Sequence, residues 1–178
     1  MSKITTYTKR KIDPCNADIN DIAIEDIAHA LSLLCRAGGQ FPTFYSVGQH
    51  SVACVKEAKA RGYSEKIQLM CLLHDASEAY IADITRPVKH ELSNYLIFEK
   101  KLQTKIYEKY LGTVPNEDEQ KLIDSVDDAM LYYEFKVIMD YEIMKGDFKL
   151  STTLDTKFDG FEKTEKEFLL LFHKLYCR

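Results

Sequence analysis

The chain has 178 residues, of which 46% are hydrophobic and 29% charged, and its formal net charge is −4. This composition predicts a folded globular protein with a hydrophobic core, and it excludes an intrinsically disordered chain. The negative charge excludes a general attraction to nucleic acid polymers or anionic membranes. Met1 to Pro14 are polar, so we expect no secretory signal peptide, and no apolar run approaches membrane-spanning length.

Five cysteines are scattered along the chain and never form a C-x-x-C pair. An odd, dispersed set argues against a disulfide framework or a zinc ribbon, and it favours a reducing cytoplasmic location. Cys35, Cys54 and Cys71 have apolar neighbours, so we predict that they are small core residues.

The predicted secondary structure is helical, and no segment alternates with a period of two, so the expected fold class is all-α. Residues 1–20 are expected to be extended or irregular. A capping box of Ser46 and Gln49 starts the second helix, Ser64 starts the third, and Gly112 closes the fourth. Polar residues, with Arg86-Pro87 among them, predict a loop after the third helix. Helices are predicted over residues 22–36, 46–61, 64–80, 93–111, 115–144 and 161–176, with a surface loop over 145–160.

His74 and Asp75 stand side by side in an apolar stretch. A buried carboxylate costs free energy unless it is paired or bound to a metal. Imidazole and carboxylate together suit divalent ions such as Mn, Fe, Co, Ni or Zn. Glu78 comes four residues after His74 and would share its helix face. The dipeptide alone nevertheless favours a buried, hydrogen-bonded His-Asp pair, so a metal site needs further residues.

Two residues elsewhere supply that support. His50 follows the capping box, where a lone histidine would usually be a surface residue. Asp127 lies on a mostly apolar face of the long helix, as a buried ligand would, whereas Asp124 and Asp128 lie on adjacent stripes and are predicted to face solvent. The residues of the apolar face are Ile123, Asp127, Met130, Glu134 and Val137. Glu134 would either contact a metal ligand from behind or simply pack on the helix face, and both alternatives stay open.

Three blocks of sequence resemble the HD-domain metal-dependent phosphohydrolase superfamily. They are S-x-x-Q-H-S with His50, H-D-A-S-E-A-x-x-x-D-x-x-x-P-V-K from His74, and V-D-D-A-M-L-Y-Y-E with Asp127. The similarity covers about residues 20–140 and is strongest to bacterial 5′-deoxynucleotidases and phage dATP triphosphohydrolases. It implies a single HD-type helical domain over residues 1–178, in which the C-terminal helix follows the motif core.

The resemblance also implies a site and a reaction. The metal ligands would be His50, His74, Asp75 and Asp127, and they would hold one divalent transition metal ion (Mn, Co, Zn, Fe or Ni). The reaction would be hydrolysis of a phosphate ester of a small nucleotide, either a deoxynucleoside 5′-monophosphate or a deoxynucleoside triphosphate. Glu78 would be the catalytic residue that orients the attacking water or moves its proton.

Three residues are implied to bind substrate. Arg36 and Lys89 would contact phosphate, and Asp83 would contact the sugar. Ala37 departs from the family pattern, because the deoxynucleotidases carry a tryptophan after the arginine, so the choice between ribose and deoxyribose stays open. The implied partner is a small nucleotide, with neither a nucleic acid polymer nor a membrane, and similar proteins form homo-oligomers.

Two other functions stay open. One is a nucleotide-binding regulatory module with a vestigial HD site, although the intact ligand set and Glu78 argue against it. The other is an HD-fold di-iron oxygenase, which needs additional histidine ligands. His29, His90 and His173 are the remaining histidines, and none fits the pattern of such enzymes.

Overall fold

A computed structural model describes residues 3–176, and its architecture is all-α, as predicted. A short antiparallel hairpin of β1 (Ile4–Thr5) and β2 (Lys11–Ile12) precedes the helices, in the segment that was expected to be extended or irregular. Strands of two residues are too short to show an alternating pattern. The helices are α1 (Ile24–Leu33), α2 (Val47–Ala60), α3 (Glu65–Leu73), α4 (Glu78–Ile81), α5 (Arg86–Glu91), α6 (Ser93–Leu111), α7 (Glu117–Met139) and α8 (Phe161–Tyr176).

The helix starts predicted at Ser46 and Ser64 are confirmed by their hydrogen bonds, and the helix end predicted at Gly112 is confirmed by its conformation. Ser46 Oγ accepts from the Gln49 amide at 3.0 Å, and Gln49 Oε1 accepts from the Ser46 amide at 3.1 Å, which is the capping box of α2. Ser64 Oγ accepts from the Ile67 amide at the start of α3. Gly112, with φ of 68°, closes α6 in the left-handed conformation that glycine adopts easily.

Several boundaries differ from the prediction. α1 ends at Leu33, three residues early, because the chain then pairs with the segment before α2: the Arg36 amide donates to the Tyr45 carbonyl at 2.9 Å. α7 ends at Met139, where Asp140 takes a left-handed conformation. α5 occupies the expected loop, and the proline in its first turn is a residue that helix starts favour.

α3 ends at Leu73 instead of near Tyr80, because the backbone tightens between α3 and α4. The Ala76 amide donates to the Leu73 carbonyl, and the Glu78 amide donates to the Asp75 carbonyl, both three residues back. His74 and Asp75 therefore lie in a tight turn between two helices. Glu78 does not share a continuous helix face with His74, and that prediction was wrong.

One hydrophobic core joins α1, α2, α3, α6, α7 and α8. Gly48 in the first turn of α2 allows α1 to approach closely, because a Cβ there would lie 3.1 Å from backbone atoms of Leu31 and Ser32. Among the helices of residues 3–176, none combines the length and the apolar character that a membrane crossing requires.

The connection between α7 and α8 is irregular, as predicted for 145–160, but it is anchored. The buried carboxylate of Glu57 accepts from the amides of Ser151 at 2.9 Å and Thr152 at 3.0 Å. Arg61 also donates to Glu57, at 2.7 Å. The last turns of α2 thus hold the middle of this segment in place.

The cysteines partly follow the prediction. Cys54 and Cys71 are buried free thiols, as expected, whereas Cys35 is exposed and that prediction was wrong. The reason is that α1 has already ended at this point and Cys35 lies in the extended segment after it. Cys177 lies outside the described residues.

Candidate metal centre

Four donor atoms from three parts of the fold converge. His50 lies in the first turn of α2, His74 and Asp75 in the turn after α3, and Asp127 in the middle of α7. The Nε2 atoms of His50 and His74 are 3.2 Å apart. Asp127 Oδ1 lies 3.1 Å from the first and 3.7 Å from the second, and Asp75 Oδ2 lies 3.8 Å and 3.3 Å from them.

Both imidazoles are oriented by an acceptor behind them. His50 Nδ1 lies 2.5 Å from Glu134 Oε1, and His74 Nδ1 lies 2.8 Å from the Cys71 carbonyl oxygen. We assign the ring proton of the neutral imidazoles to Nδ1, because a carboxylate and a carbonyl can only accept. Two Nε2 lone pairs then face each other, an arrangement that needs a cation or a proton between them.

The donor set fits a divalent transition metal. Such ions bind imidazole nitrogen and carboxylate oxygen at about 2.0–2.2 Å, which places neighbouring donors roughly 3.0–3.6 Å apart. The donor spacings of 3.1–3.8 Å are close to that range. The two imidazoles and two carboxylates would thus hold the ion with little movement.

Electrostatics keep the carboxylates ionised. Burial raises the pKa of Asp127, but hydrogen bonds from His50 and His74 outweigh burial and hold that pKa well below its ordinary value. Burial also opposes ionisation of Asp75, and the neighbouring His74 outweighs it, so the pKa of Asp75 is lowered. Burial lowers the pKa of His74, but the two aspartates raise it well above its ordinary value. An incoming metal ion would therefore displace protons from the imidazoles.

Cys54 is a further donor near the histidines. Its Sγ lies 3.5 Å from His50 Nε2, and a three-donor group of His50, Cys54 and His74 falls within 4.8 Å. We favour the aspartates as ligands, since the neighbouring histidines lower the pKa of both carboxyl groups, whereas burial raises the pKa of the Cys54 thiol well above its ordinary value. Both aspartates also line the adjacent cavity, where a substrate would reach the ion, whereas Cys54 and the two histidines lie behind them.

Arg36 lies at the site, as predicted, but its donors point at carboxylates. Its Nε is 3.1 Å from Glu134 Oε2, its Nη1 is 3.3 Å from Asp75 Oδ2, and its Nη2 is 3.4 Å from Asp127 Oδ1. Burial lowers the pKa of Arg36, and these three acids, Glu134 most strongly, raise it above its ordinary value. Arg36 thus ties together two candidate ligands and the acid that orients His50.

A cavity of about 570 Å³ opens beside the donor atoms, and Glu78, Asp83 and Lys89 line it with Arg36. Glu78 is buried; its Oε1 accepts from Lys89 Nζ at 3.3 Å, and its Oε2 makes no hydrogen bond within the described chain. Burial, together with Asp75 and Asp83, raises the pKa of Glu78 well above its ordinary value. The site thus holds one buried carboxyl with an unused oxygen.

Asp83 and Lys89 both line the cavity. Asp83 follows Ala82, whose φ of 71° and ψ of 157° are unusual for a residue with a side chain. Burial raises the pKa of Asp83, which the charge of Arg36 only partly offsets. Lys89 Nζ also contacts Glu99 Oε1 at 2.7 Å, so this cation is shared between two acids.

Two features of the site were not predicted from the sequence, and a third had been left open. Arg86 lines the cavity and contacts Asp127, whereas the sequence predicted Arg86-Pro87 only as part of a loop. Glu134 contacts both His50 and Arg36, which its place on the Asp127 face left open. The cavity also has an apolar wall, formed by Leu131, Phe135, Met139 and Ile143.

No protein-family model matches the chain. The chain is similar to YfdR of Escherichia coli (strain K12), with 40% identity over 112 residues, covering 62% of this chain and 59% of YfdR. It is also similar to a protein of Rhodobacter capsulatus, with 42% identity over 85 residues, covering 45% of this chain and 43% of that protein. The chain spans about half the length of these curated relatives, and both are described as uncharacterized proteins.

Proposed function

We propose that this protein is a divalent-metal-dependent phosphohydrolase that cleaves the phosphate ester of a small nucleotide, a deoxynucleoside 5′-monophosphate or a deoxynucleoside triphosphate. The observation that carries the proposal is the convergence of two imidazole nitrogens and two carboxylate oxygens at the edge of a nucleotide-sized cavity. The resemblance of the three sequence blocks to HD-domain phosphohydrolases supports the reaction class.

The charge of the cavity supports an anionic substrate only when a cation is bound. Three cationic side chains and four carboxyl groups line it, so their net charge is −1 with all of them ionised and zero with Glu78 protonated, and a divalent cation makes it positive in either case. When bound, such an ion supplies Lewis acidity, which makes water more acidic and offsets negative charge on phosphoryl oxygens. The charged residues are Arg36, Arg86, Lys89, Asp75, Glu78, Asp83 and Asp127.

The protein's own residues position the reactants. Water attacks phosphorus, the ester P–O bond breaks, and the departing oxygen takes a proton. Glu78 is placed to move that proton, because it lines the cavity and its Oε2 has no hydrogen-bond partner among residues 3–176. Lys89, hydrogen-bonded to Glu78 Oε1, contributes positive charge that stabilises the developing negative charge.

The shape of the cavity suits a mononucleotide. Its volume of about 570 Å³ lies within the range of small-molecule sites. The apolar wall of Leu131, Phe135 and Met139 offers contact to a base or sugar, while seven charged residues lie elsewhere in the lining. We place the reaction in the cytoplasm, where thiols such as those of Cys54 and Cys71 stay reduced.

The decisive experiment loads the purified protein with Mn²⁺ or Co²⁺ and screens deoxy- and ribonucleoside mono- and triphosphates. We expect release of phosphate or tripolyphosphate that EDTA abolishes and added metal restores. His74→Ala should lose the activity and the metal, whereas His173→Ala, an exposed position on α8, should keep both. Full activity of a verified metal-free preparation contradicts the proposal, and nucleotide binding without turnover by the loaded protein favours a regulatory module.

A further inference from the structure

Arg86, the first residue of α5, bridges a candidate metal ligand and the rim of the cavity. Its Nη2 lies 2.8 Å from Asp127 Oδ2, and its Nη1 lies 3.1 Å from Asp128 Oδ1. The Asp127 oxygen in this contact is the one directed away from the two histidine Nε2 atoms, which approach Oδ1. Arg86 can therefore leave Asp127 without disturbing the oxygen that faces the histidines.

The other two cations of the cavity are held more firmly. The side chain of Arg36 is 11% exposed, and its departure would leave Oε2 of the fully buried Glu134 without its partner. Lys89 is 21% exposed and pairs with Glu78, which is 4% exposed. Leaving a buried charge without its partner costs several kcal/mol, about 3–5 kcal/mol in measured cases.

Arg86 carries a smaller penalty. Its side chain is 53% exposed and its partner Asp128 is 43% exposed, whereas Asp127, which is 21% exposed, keeps its contacts with Arg36 and His50 when Arg86 leaves. Ion pairs between exposed side chains contribute little to stability, so water can replace either partner at low cost. A guanidinium also matches phosphate oxygens with two parallel hydrogen bonds.

We infer that Arg86 is the residue that binds the phosphate group of the substrate, and that Asp128 holds it at the rim until phosphate replaces the carboxylate. This inference rests on the proposed function. It assigns the mobile phosphate contact to Arg86 and gives Arg36 the role of fixing the acids around the metal. It also makes Asp128 a competitor of the substrate for the same guanidinium.

Binding of inorganic phosphate to the Mn²⁺-loaded protein tests the inference without any turnover. Calorimetry should show that Arg86→Gln weakens phosphate binding about tenfold, equivalent to about 1.4 kcal/mol, with unchanged metal stoichiometry. Lys100→Gln, which removes a positive charge from the exposed face of α6, should leave phosphate binding unchanged. Equal phosphate affinity in Arg86→Gln and the wild type overturns the inference, as does an absence of phosphate binding to the wild type.

If Asp128 competes with phosphate for Arg86, a substitution at Asp128 should change the phosphate affinity in the opposite direction. Asp128→Asn should tighten phosphate binding several-fold, and it should do so much less when Arg86→Gln is also present. Asp124→Asn removes an equal charge from the exposed side of α7 and controls for general electrostatics. If Asp128→Asn acts equally in both backgrounds, the pairing is irrelevant to phosphate and the inference fails. Loss of metal in Arg86→Gln would also overturn it, since Arg86 would then serve to position Asp127.

Discussion

The substitution Glu134→Gln isolates the contribution of an acid that touches neither the cavity nor the proposed ion. Glu134 is fully buried, and its two oxygens accept from different donors: His50 Nδ1 at 2.5 Å and Arg36 Nε at 3.1 Å. A glutamine offers only one acceptor oxygen, so its amide nitrogen must face one of these donors. The substitution keeps the size of the side chain and removes its charge.

The expected magnitude has two parts. A buried donor without an acceptor costs about 1–3 kcal/mol, and the loss of a buried charge beside Arg36 adds to it, so the free energy of unfolding of the metal-free protein should fall by about 2–4 kcal/mol. Partners that orient a ligating histidine typically contribute 10- to 100-fold to metal affinity. We therefore expect Mn²⁺ to bind Glu134→Gln roughly 10- to 100-fold more weakly, equivalent to about 1.4–2.7 kcal/mol.

Urea unfolding of the metal-free protein measures the first quantity, and competition titration of Mn²⁺ measures the second. Glu108→Gln, at an exposed position on α6, is the matched control and should change neither. Wild-type metal affinity in Glu134→Gln would refute the view that this acid orients His50. An unchanged free energy of unfolding would refute the argument from the two buried donors.

Four further substitutions test other parts of the site and fold. Asp127→Ala should abolish stoichiometric metal binding, whereas Asp124→Ala should keep it. The reverse result would show that Asp124, and not Asp127, is the metal ligand on α7. Glu78→Ala should keep the metal and the nucleotide affinity measured by calorimetry while kcat falls about 100- to 10,000-fold; a near-normal kcat would remove Glu78 from proton transfer. Cys54→Ala should keep the metal, because the proposed donor set needs no thiol, and loss of the metal would put sulfur among the ligands. Gly48→Ala should lower the free energy of unfolding by about 1–3 kcal/mol in urea titrations, because the new Cβ would meet backbone atoms of α1; an unchanged transition midpoint would show that α1 and α2 can separate without cost.

Local signals in the sequence were sufficient for most helices. A cap is formed by neighbouring residues, so the pair of Ser46 and Gln49 could be recognised without knowledge of the fold. The spacing on α7 correctly predicted that Ile123, Met130 and Glu134 are buried, but Val137 on the same face is exposed. Helical periodicity defines a face, and it does not show where the protein core beside that face ends.

The parts that could not be predicted depend on contacts between distant residues. The early end of α1 follows from pairing with Tyr45, and the break after Leu73 has no glycine or proline to mark it. Arg86 is joined to Asp127 across 41 positions of sequence, and no local pattern reports such a contact. The candidate ligands were predicted because the resemblance covers the blocks that carry them, not because the spacing alone requires a site.

The anchoring of residues 151–152 by Glu57 has a consequence for how this protein can vary in length. A single buried acid divides the connection between α7 and α8 into two arms, each with its own fixed end. Residues 145–147 in the first arm are exposed, and lengthening a flexible loop adds little closure entropy. An inserted peptide can therefore enlarge that arm while α2 keeps the second arm, and with it the start of α8, in register.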